Sequence, residues 1–398
     1  MAEIALVTSS FLPRVGGVEE HVRHVAEQLR ARGVDVAIWT VDRGDDVPAD
    51  LDGIPIRVLP TPMPARSLRA ALSFAWRAPR AALRWRRALR ADRPAVIHVH
   101  CFGPNGAWAT EVARFSRLPL VITSHGETFG DADDVFGGSA LMRWALRRGI
   151  RRAAAVTAVS AFTARDLEER FGLEPGRAAI VMNGVDLDEE SAGAPPLPAR
   201  YFVALGRLVG TKGFDLLVRA FAAADLPEDV HLVIGGDGPE RDALLSLAAK
   251  RGVADRVHLP GRLGRESVGP TVAGSLALVV PSRTEAFGIV VLEGWRGGVP
   301  VIATSHAGPA ELVHDGVDGW LADPFDERAL AAALERAVRE RDEAERIAAA
   351  GRARVEEFTW DHVVDGYLAV YDEVAATPPA VGCLGIGDGQ TSVRGSDQ

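Results

Sequence analysis

Two glutamates, Glu285 and Glu293, stand on either side of Gly288 in PSRTEAFGIVVLEGWRGGVPVIAT, residues 281–304. The stretch follows a strand-like SLALVV and runs into a second one, VPVIAT. If a helix begins near Ala286, the amides of Phe287, Gly288 and Ile289 lie free at its positive end, where a phosphate is stabilised. Eight residues at helical rise separate the two carboxylates by roughly 12 Å, with about 80° between their directions. That is the scale of a nucleotide sugar. Glu285 would take sugar hydroxyls, the amides a diphosphate and Glu293 the ribose hydroxyls, since each carboxylate accepts two hydroxyl hydrogen bonds. The plainer alternative makes Glu285 a helix cap and Glu293 an exposed helical residue. Against it stands the apolar setting of Glu293, between Leu292 and Gly294.

Other reactive groups also follow strand-like runs. ALGRLVGTKGFDLL puts Arg207 and Lys212 on a glycine-bearing loop, a planar fork and a point charge that together suit a diphosphate. Solvated surface cations are the alternative. SSFLPRVGGVEE places Gly16 and Gly17 before a helix, where backbone amides can approach an anion or simply make a turn. The dinucleotide fingerprint G-x-G-x-x-G is absent, which disfavours a dehydrogenase. His125 follows a strand in TSHGET, where it can simply cap a neighbouring helix. His98 and His100 alternate on one strand and share a side. With His125 or Cys101 they imitate a metal site, but no acidic partner supports one, so no metal is expected.

These residues need elements to position them. Short apolar runs alternate with helical patterns almost throughout, the sign of βαβ units and parallel sheets. In the first half the strands are read as EIALVTS, VDVAIWTV, IPIRVLP, AVIHVH, PLVITS and AAVTAV; in the second as YFVALGR, HLVIGG, RVHLP, SLALVVPS and VPVIAT. Residues 187–200 break the pattern with acidic residues and Pro195, Pro196 and Pro198, a linker composition. At 398 residues the chain exceeds the size at which one core stops growing. The expected division is 1–190, a linker 191–199, 200–358, a helix 359–375 and a disordered tail 376–398. Residues 326–350 read as one Ala-, Glu- and Arg-rich helix. Residues 66–93 carry nine Arg against one Asp, with Phe74, Trp76 and Trp85. They read as a helix pair interrupted at Pro79, packing its Leu and Trp inward or lying on an anionic lipid surface.

The net charge of −9 argues against general nucleic-acid binding. Two cysteines without metal-type spacing fit a reducing, cytoplasmic protein. The first residues read as a strand rather than a leader, and no run is long enough to span a bilayer.

With EAFGIVVLE in place, supported in order by FLPRVGGVEEHV, HVH, SHGE, VMNGVD, GRLVGTKG, IGGDGPE and HAGPAELV, the chain resembles the retaining glycosyltransferases of family four over roughly residues 1–375. The resemblance implies the GT-B fold: two Rossmann-like domains facing across a cleft, with the last helix crossing back to the first. It implies that Arg207 and Lys212 bind the donor diphosphate with Gly288 and Ile289. Glu285 would contact the donor sugar, Glu293 the ribose, and His125 the reacting sugar. Gly16 and Gly17 would line the phosphate site from the first domain, with Gly238 and Phe287 also on the donor side and Gly261 and Arg262 beside the base. The acceptor, a small molecule or lipid hydroxyl, is expected near His100, Asn105, Glu127 and Thr128, with the acidic GETFGDADD (126–134) facing a polyol or an amine or forming only a flexible solvated loop. No cofactor is implied beyond a uridine- or guanosine-diphosphate sugar as substrate. Transfer would keep the anomeric configuration, without a metal. An epimerase or phosphorylase on the same fold, or a donor-binding protein without turnover, stays open.

Overall fold

Apolar runs of four to six residues cannot alternate with amphipathic helices along one chain without producing parallel strands covered on both faces. The computed structural model, which describes residues 4–14, 16–64, 67–129, 135–188 and 193–376, has two such sheets. The first unit runs β1 (Ile4–Thr8), α1 (Gly17–Ala31), β2 (Val36–Val41), β3 (Asp50–Leu51), β4 (Ile54–Leu59), α2 (Leu68–Asp92) and β5 (Val96–His100). It continues with α3 (Pro104–Ser116), β6 (Leu120–Ser124), α4 (Val135–Gly138), α5 (Ala140–Arg152), β7 (Ala155–Ala158), α6 (Ala161–Phe171) and β8 (Ala178–Ile180). The second opens with β9 (Tyr201–Leu205), α7 (Phe214–Ala223), β10 (His231–Gly235), α8 (Arg241–Lys250), β11 (Val257–Gly261), α9 (Arg265–Ala273) and β12 (Ala277–Val280). It closes with α10 (Ile289–Arg296), β13 (Val301–Thr304), α11 (Ala307–Leu312), β14 (Trp320–Ala322), α12 (Glu327–Arg339), α13 (Arg341–Arg354) and α14 (Trp360–Ala376).

The first sheet is ordered β3-β4-β2-β1-β5-β6-β7-β8 and the second β11-β10-β9-β12-β13-β14. All pairings are parallel except the β3–β4 hairpin. Alternate residues of one strand feed opposite cores. Phe202 and Ala204 of β9 pack with Leu217, Phe221 and Leu334, whereas Tyr201 and Val203 pack with Val291 and Trp295.

The last helix returns to the first unit. Trp360, Val363, Val364, Tyr367, Val370, Tyr371 and Val374 of α14 are buried in the same cluster as Ile4, Leu6, Val22 and Val25. Each apolar side chain buried this way contributes about 1.5–3 kcal/mol, so undocking the helix is costly. Arg32 fixes its start by bonding Asp361 at 2.9 Å and pairing with Asp365.

Every strand read from the sequence is present, and β3, β8 and β14 are added. These three lie at sheet edges, are only two or three residues long and offer too few residues for a period to show. The Ala-rich segment is two helices, broken at Glu340. The basic segment is one helix that runs through Pro79. Pro79 and Ala75, whose carbonyl loses its partner, both face solvent, where water can satisfy that carbonyl. Residues 377–398, the expected tail, and parts of the linker (189–192) and the acidic loop (130–134) lie outside the described residues.

Candidate functional site

An open parallel sheet has a crevice where its strand order reverses, outside the carboxyl ends of the strands. In the second sheet that point lies between β9 and β12, which are neighbours. The loop after β9 carries Arg207 and Lys212, and the loop after β12 carries Glu285. The two loops are stitched together. Arg283 N–H donates to Thr211 O at 2.9 Å, and the Arg283 guanidinium grips Asp215 at 2.6 and 2.8 Å and Gly210 O at 2.8 Å. Burial opposes the Asp215 carboxylate, but Arg283 outweighs it and holds the group below its usual range. Gly213 permits the approach: its φ is +67°, and a Cβ there would meet Pro281 O at 2.0 Å.

The structure therefore joins two residues that lie 73 positions apart: Lys212 Nζ donates to Glu285 Oε2, which Ser282 Oγ also reaches at 3.3 Å. The exposed Arg207 guanidinium has no partner among the described residues. Helix α10 starts later than expected. Gly288 is its left-handed N-cap at φ +95° and Ile289 its first residue, so 286–288 form a loop and the eight-residue helical rise is not realised. The amides of Phe287, Gly288 and Ile289 still meet no acceptor among the described residues. The Phe287 ring is buried, which leaves only its backbone for a ligand. Glu293 pairs with Arg296 at 2.5 Å, and Arg296 also donates to Asp186 O at 2.9 Å. Gly238, at φ +156°, lets the loop after β10 approach Leu208 O, where a Cβ would come within 2.5 Å; Arg262, after β11, is exposed.

In the first sheet the order reverses between β1 and β5. Gly16 caps α1 with extended backbone and no side-chain hydrogen bond, and both Gly16 and Gly17 are exposed. The first turn of α1 also holds Glu19 and Glu20, whose charge works against an anion there. A set of histidines gathers here, His98 and His100 on β5, His125 just after β6 and His21 on α1. His100 Nδ1 lies 3.2 Å from His125 Nε2. The His21 ring meets His125 edge-on at 4.7 Å and is held by Asn183 Oδ1 and Tyr367 OH, each at 2.9 Å. His98 bonds Tyr371 OH and Thr123 Oγ1, each at 2.6 Å. Burial lowers His21 and His98 to about 3, and takes His100 and His125 well below the usual imidazole range. All four are neutral at ordinary pH.

His98 and His100 do share a side, with rings 4.0 Å apart, but His98 is committed to Tyr371 and Thr123. The trio whose ring nitrogens lie within 4.8 Å of one another is His21, His100 and His125. Both His21 nitrogens are already engaged, so the set is built as a hydrogen-bonded network.

All four acceptor-side expectations change on burial, beginning with His100, which is wholly buried on β5. The Glu127 carboxylate accepts from the amides of Phe102 (2.9 Å) and His125 (2.8 Å) and from Ser124 Oγ (3.1 Å). Burial raises its pKa, partly offset by those bonds. It holds the His125 turn rather than facing the cleft. Thr128 Oγ1 is buried on Asp166 at 2.5 Å. Asn105 is buried and donates to Cys101 O at 3.3 Å.

The two units meet around Ala286. Ser160 Oγ donates to Ala286 O at 2.6 Å, and Gly126 lies so close that a Cβ would sit 2.5 Å from Ala286 Cβ. Beside them Glu311 accepts from Phe162 N at 3.0 Å and pairs with Arg165 at 2.5 Å. Arg265 of α9 bonds Glu20 at 2.9 Å and His24 at 3.0 Å across the other flank. The His125–Gly126 turn thus abuts the Glu285–Ala286 loop. His21, Asn183, Ser160 and Glu311 were not picked out from sequence. Ser160 had a detectable signal as a Ser opening a helical run, but nothing local marks the others as partners.

Comparison with known proteins bears on the family and the fold. Residues 15–189 match the family model described as Glycosyltransferase Family 4, and 188–354 that of Glycosyl transferases group 1. The chain is 30% identical to the alpha-D-kanosaminyltransferase of Streptomyces kanamyceticus, over 82% of this chain and 92% of that one. It is also 30% identical to the D-inositol 3-phosphate glycosyltransferase of Acidothermus cellulolyticus, over 91% and 86%. The sucrose-phosphate synthase structure from Thermosynechococcus elongatus shares the fold, with a TM-score of 0.77 at 22% identity, covering 94% of this chain and 100% of that one. Two facing Rossmann-like units, a charged pair at the second sheet's switch point and this extent of likeness make the chain a member of the family-four glycosyltransferases, with the GT-B fold.

Proposed function

We propose that the enzyme transfers a hexosyl group from a uridine- or guanosine-diphosphate sugar to a hydroxyl of a polyhydroxylated small molecule or a lipid, with retention at the anomeric carbon. In this reading residues 1–190 hold the acceptor and 200–358 the donor, with 191–199 linking them and 359–375 packing back. The observation that carries it is the Lys212–Glu285 pair beneath the His125–Gly126 turn: a diphosphate-binding cation, a hydroxyl-binding carboxylate and a neutral imidazole around one space. The bond from the anomeric carbon to the diphosphate breaks, and the bond to the acceptor oxygen forms on the same face. The acceptor proton passes to the departing diphosphate. Arg207, Lys212 and the amides of Gly288 and Ile289 stabilise the charge developing there. Glu285 orients the sugar, and Glu293 exchanges Arg296 for the ribose hydroxyls. The inositol-phosphate and kanosaminyl names of the relatives favour a cyclic polyol or amino sugar on one side of the reaction. The outward face of α2 adds a peripheral contact with anionic lipid, and no helix among the described residues is long and apolar enough to cross a membrane.

The test is thermal stability against uridine-, guanosine- and adenosine-diphosphate sugars, since ligand at 100 times its Kd stabilises by about 2.7 kcal/mol. One base should raise the midpoint in the parent and fail to do so in Arg207→Ala. Glu285→Ala should abolish transfer while keeping most diphosphate binding, and Lys212→Ala should weaken both. A flat response to every donor, or parental transfer by Glu285→Ala, would refute the assignment.

A further inference from the structure

We propose that His100 is a positioning residue that fixes which nitrogen of His125 carries the proton, making His125 a neutral hydrogen-bond donor to the transferred sugar. The inference rests on the placement of His125 beside that sugar.

The His100 ring is fully buried on β5, with Nδ1 at 3.2 Å from His125 Nε2. Its own Nε2 is buried and meets no partner. The neighbouring rings cannot supply one, because His98 and His21 each use both nitrogens elsewhere. Both rings of the pair are neutral, so each has one N–H and one bare nitrogen. The contact then has two forms. If His125 donates from Nε2, His100 accepts at Nδ1 and its proton is forced onto Nε2, a buried N–H with nothing to receive it. If His100 donates from Nδ1, only a lone pair is left unpaired on its Nε2. Orphaned buried N–H groups are rarer than under-used acceptors, which selects the second form.

His125 therefore accepts at Nε2 and carries its proton on Nδ1, which has no partner among the described residues. The ring is only partly buried, so this N–H is the group left for a ligand. Its chemistry suits the reaction. An N–H donor pairs with a sugar hydroxyl oxygen, and a neutral one does so without adding positive charge beside an anomeric carbon that becomes cationic in the transition state. The Glu127 bond to the His125 amide and the edge contact from His21 fix the ring; His100 fixes its tautomer.

The experiment uses 15N-histidine-labelled full-length protein, long-range 1H–15N correlation spectra and steady-state kinetics. His125 signals are assigned by their loss in His125→Asn. His100→Asn places an amide N–H near the position of Nδ1 and can still donate, whereas His100→Gln reaches towards the position of Nε2 and cannot. The parent and His100→Asn should show the His125 proton on Nδ1. His100→Gln should move it towards Nε2 and lower kcat about tenfold, the scale of one lost hydrogen bond, with donor KM changed little. His100→Asn should recover most of that loss, although both variants lower the thermal midpoint alike. A proton on Nε2 in the parent, or equal kcat losses in the Asn and Gln variants, would overturn the proposal. Failure of the underlying reading looks different: His125→Asn would then transfer sugar at the parental rate while the spectra still report the tautomer.

Discussion

Gly126 shows how much one residue can be asked to do. Its φ of +88° is closed to most side chains, and the space where a Cβ would go is taken by Ala286 Cβ at 2.5 Å and the Phe129 ring at 3.0 Å. Gly126→Ala should therefore force apart the histidine turn and the Glu285 loop, lowering transfer by about tenfold or more, in addition to the strain of about 1 kcal/mol typical of such a change. Gly252→Ala is the control, because Gly252 has φ +74° with nothing within 4 Å. It should lose stability but keep its turnover per folded molecule. Equal turnover in the two variants would show that the close approach to Ala286 is unimportant. At this scale the sequence was readable wherever a reactive side chain follows a strand, as Arg207, Lys212, Glu285 and His125 do. It was silent on His21, whose partners lie 162 and 346 residues away. It also misread Glu127, because an exposed acid and one buried on backbone amides look alike in a string of letters.

Helix α2 is the element whose surface does not fit a purely internal role. Ala81, Trp85 and Ala88 form its buried stripe. Leu72, Trp76 and Leu83, spaced four and seven residues apart, fall on the opposite face and are 63%, 70% and 55% exposed. Arg80 lies over the Trp76 ring at 4.4 Å, and the only acid in the helix, Asp92, is buried on Arg57 and Trp39. A basic helix with an exposed apolar ridge suits an anionic surface, even on a chain whose net charge is −9. Full-length protein should co-sediment with phosphatidylglycerol vesicles, and less so as salt is raised. Trp76→Ser combined with Leu72→Ser should cut that binding about tenfold or more, since each side chain gives up about 1.5–3 kcal/mol of burial. Equal binding to phosphatidylcholine vesicles, or none to either, would remove the lipid reading. The helix itself was legible from its period, but its continuity was not. Pro79 is tolerated because the carbonyl it frees faces water, and exposure is a tertiary property.

For the whole molecule, five histidines held neutral set an acid limit. His21 and His98 titrate near 3 and His24 near 4 against an ordinary 6.5, with His100 and His125 also well below it, and burial is the leading cause in each. Between these values and 6.5 the unfolded chain binds more protons than the folded one, so stability must fall as pH falls through that window. Glu27 and Glu127, both raised by burial, act in the opposite sense above their usual range, two groups against these five and His258, which burial also lowers. Calorimetry should find the unfolding midpoint dropping steadily from pH 7 to pH 5; a midpoint constant over that range would contradict the burial of these rings. The two-unit plan was visible because strand and helix patterns repeat on both sides of a Pro-rich break. How the units touch was not, since Ser160 on Ala286 and Arg265 on Glu20 join residues 126 and 245 positions apart.

The chain passes between its two halves twice, once after β8 and once before α14. These passages lie against each other: Val185 N bonds Phe358 O at 2.8 Å, and Val185 bridges Thr359. Two bodies tied at a single doubled strap behave as a pair of tongs. Parting the two halves about Val185 would have to break the Ser160–Ala286 and Arg265–Glu20 contacts that also join them.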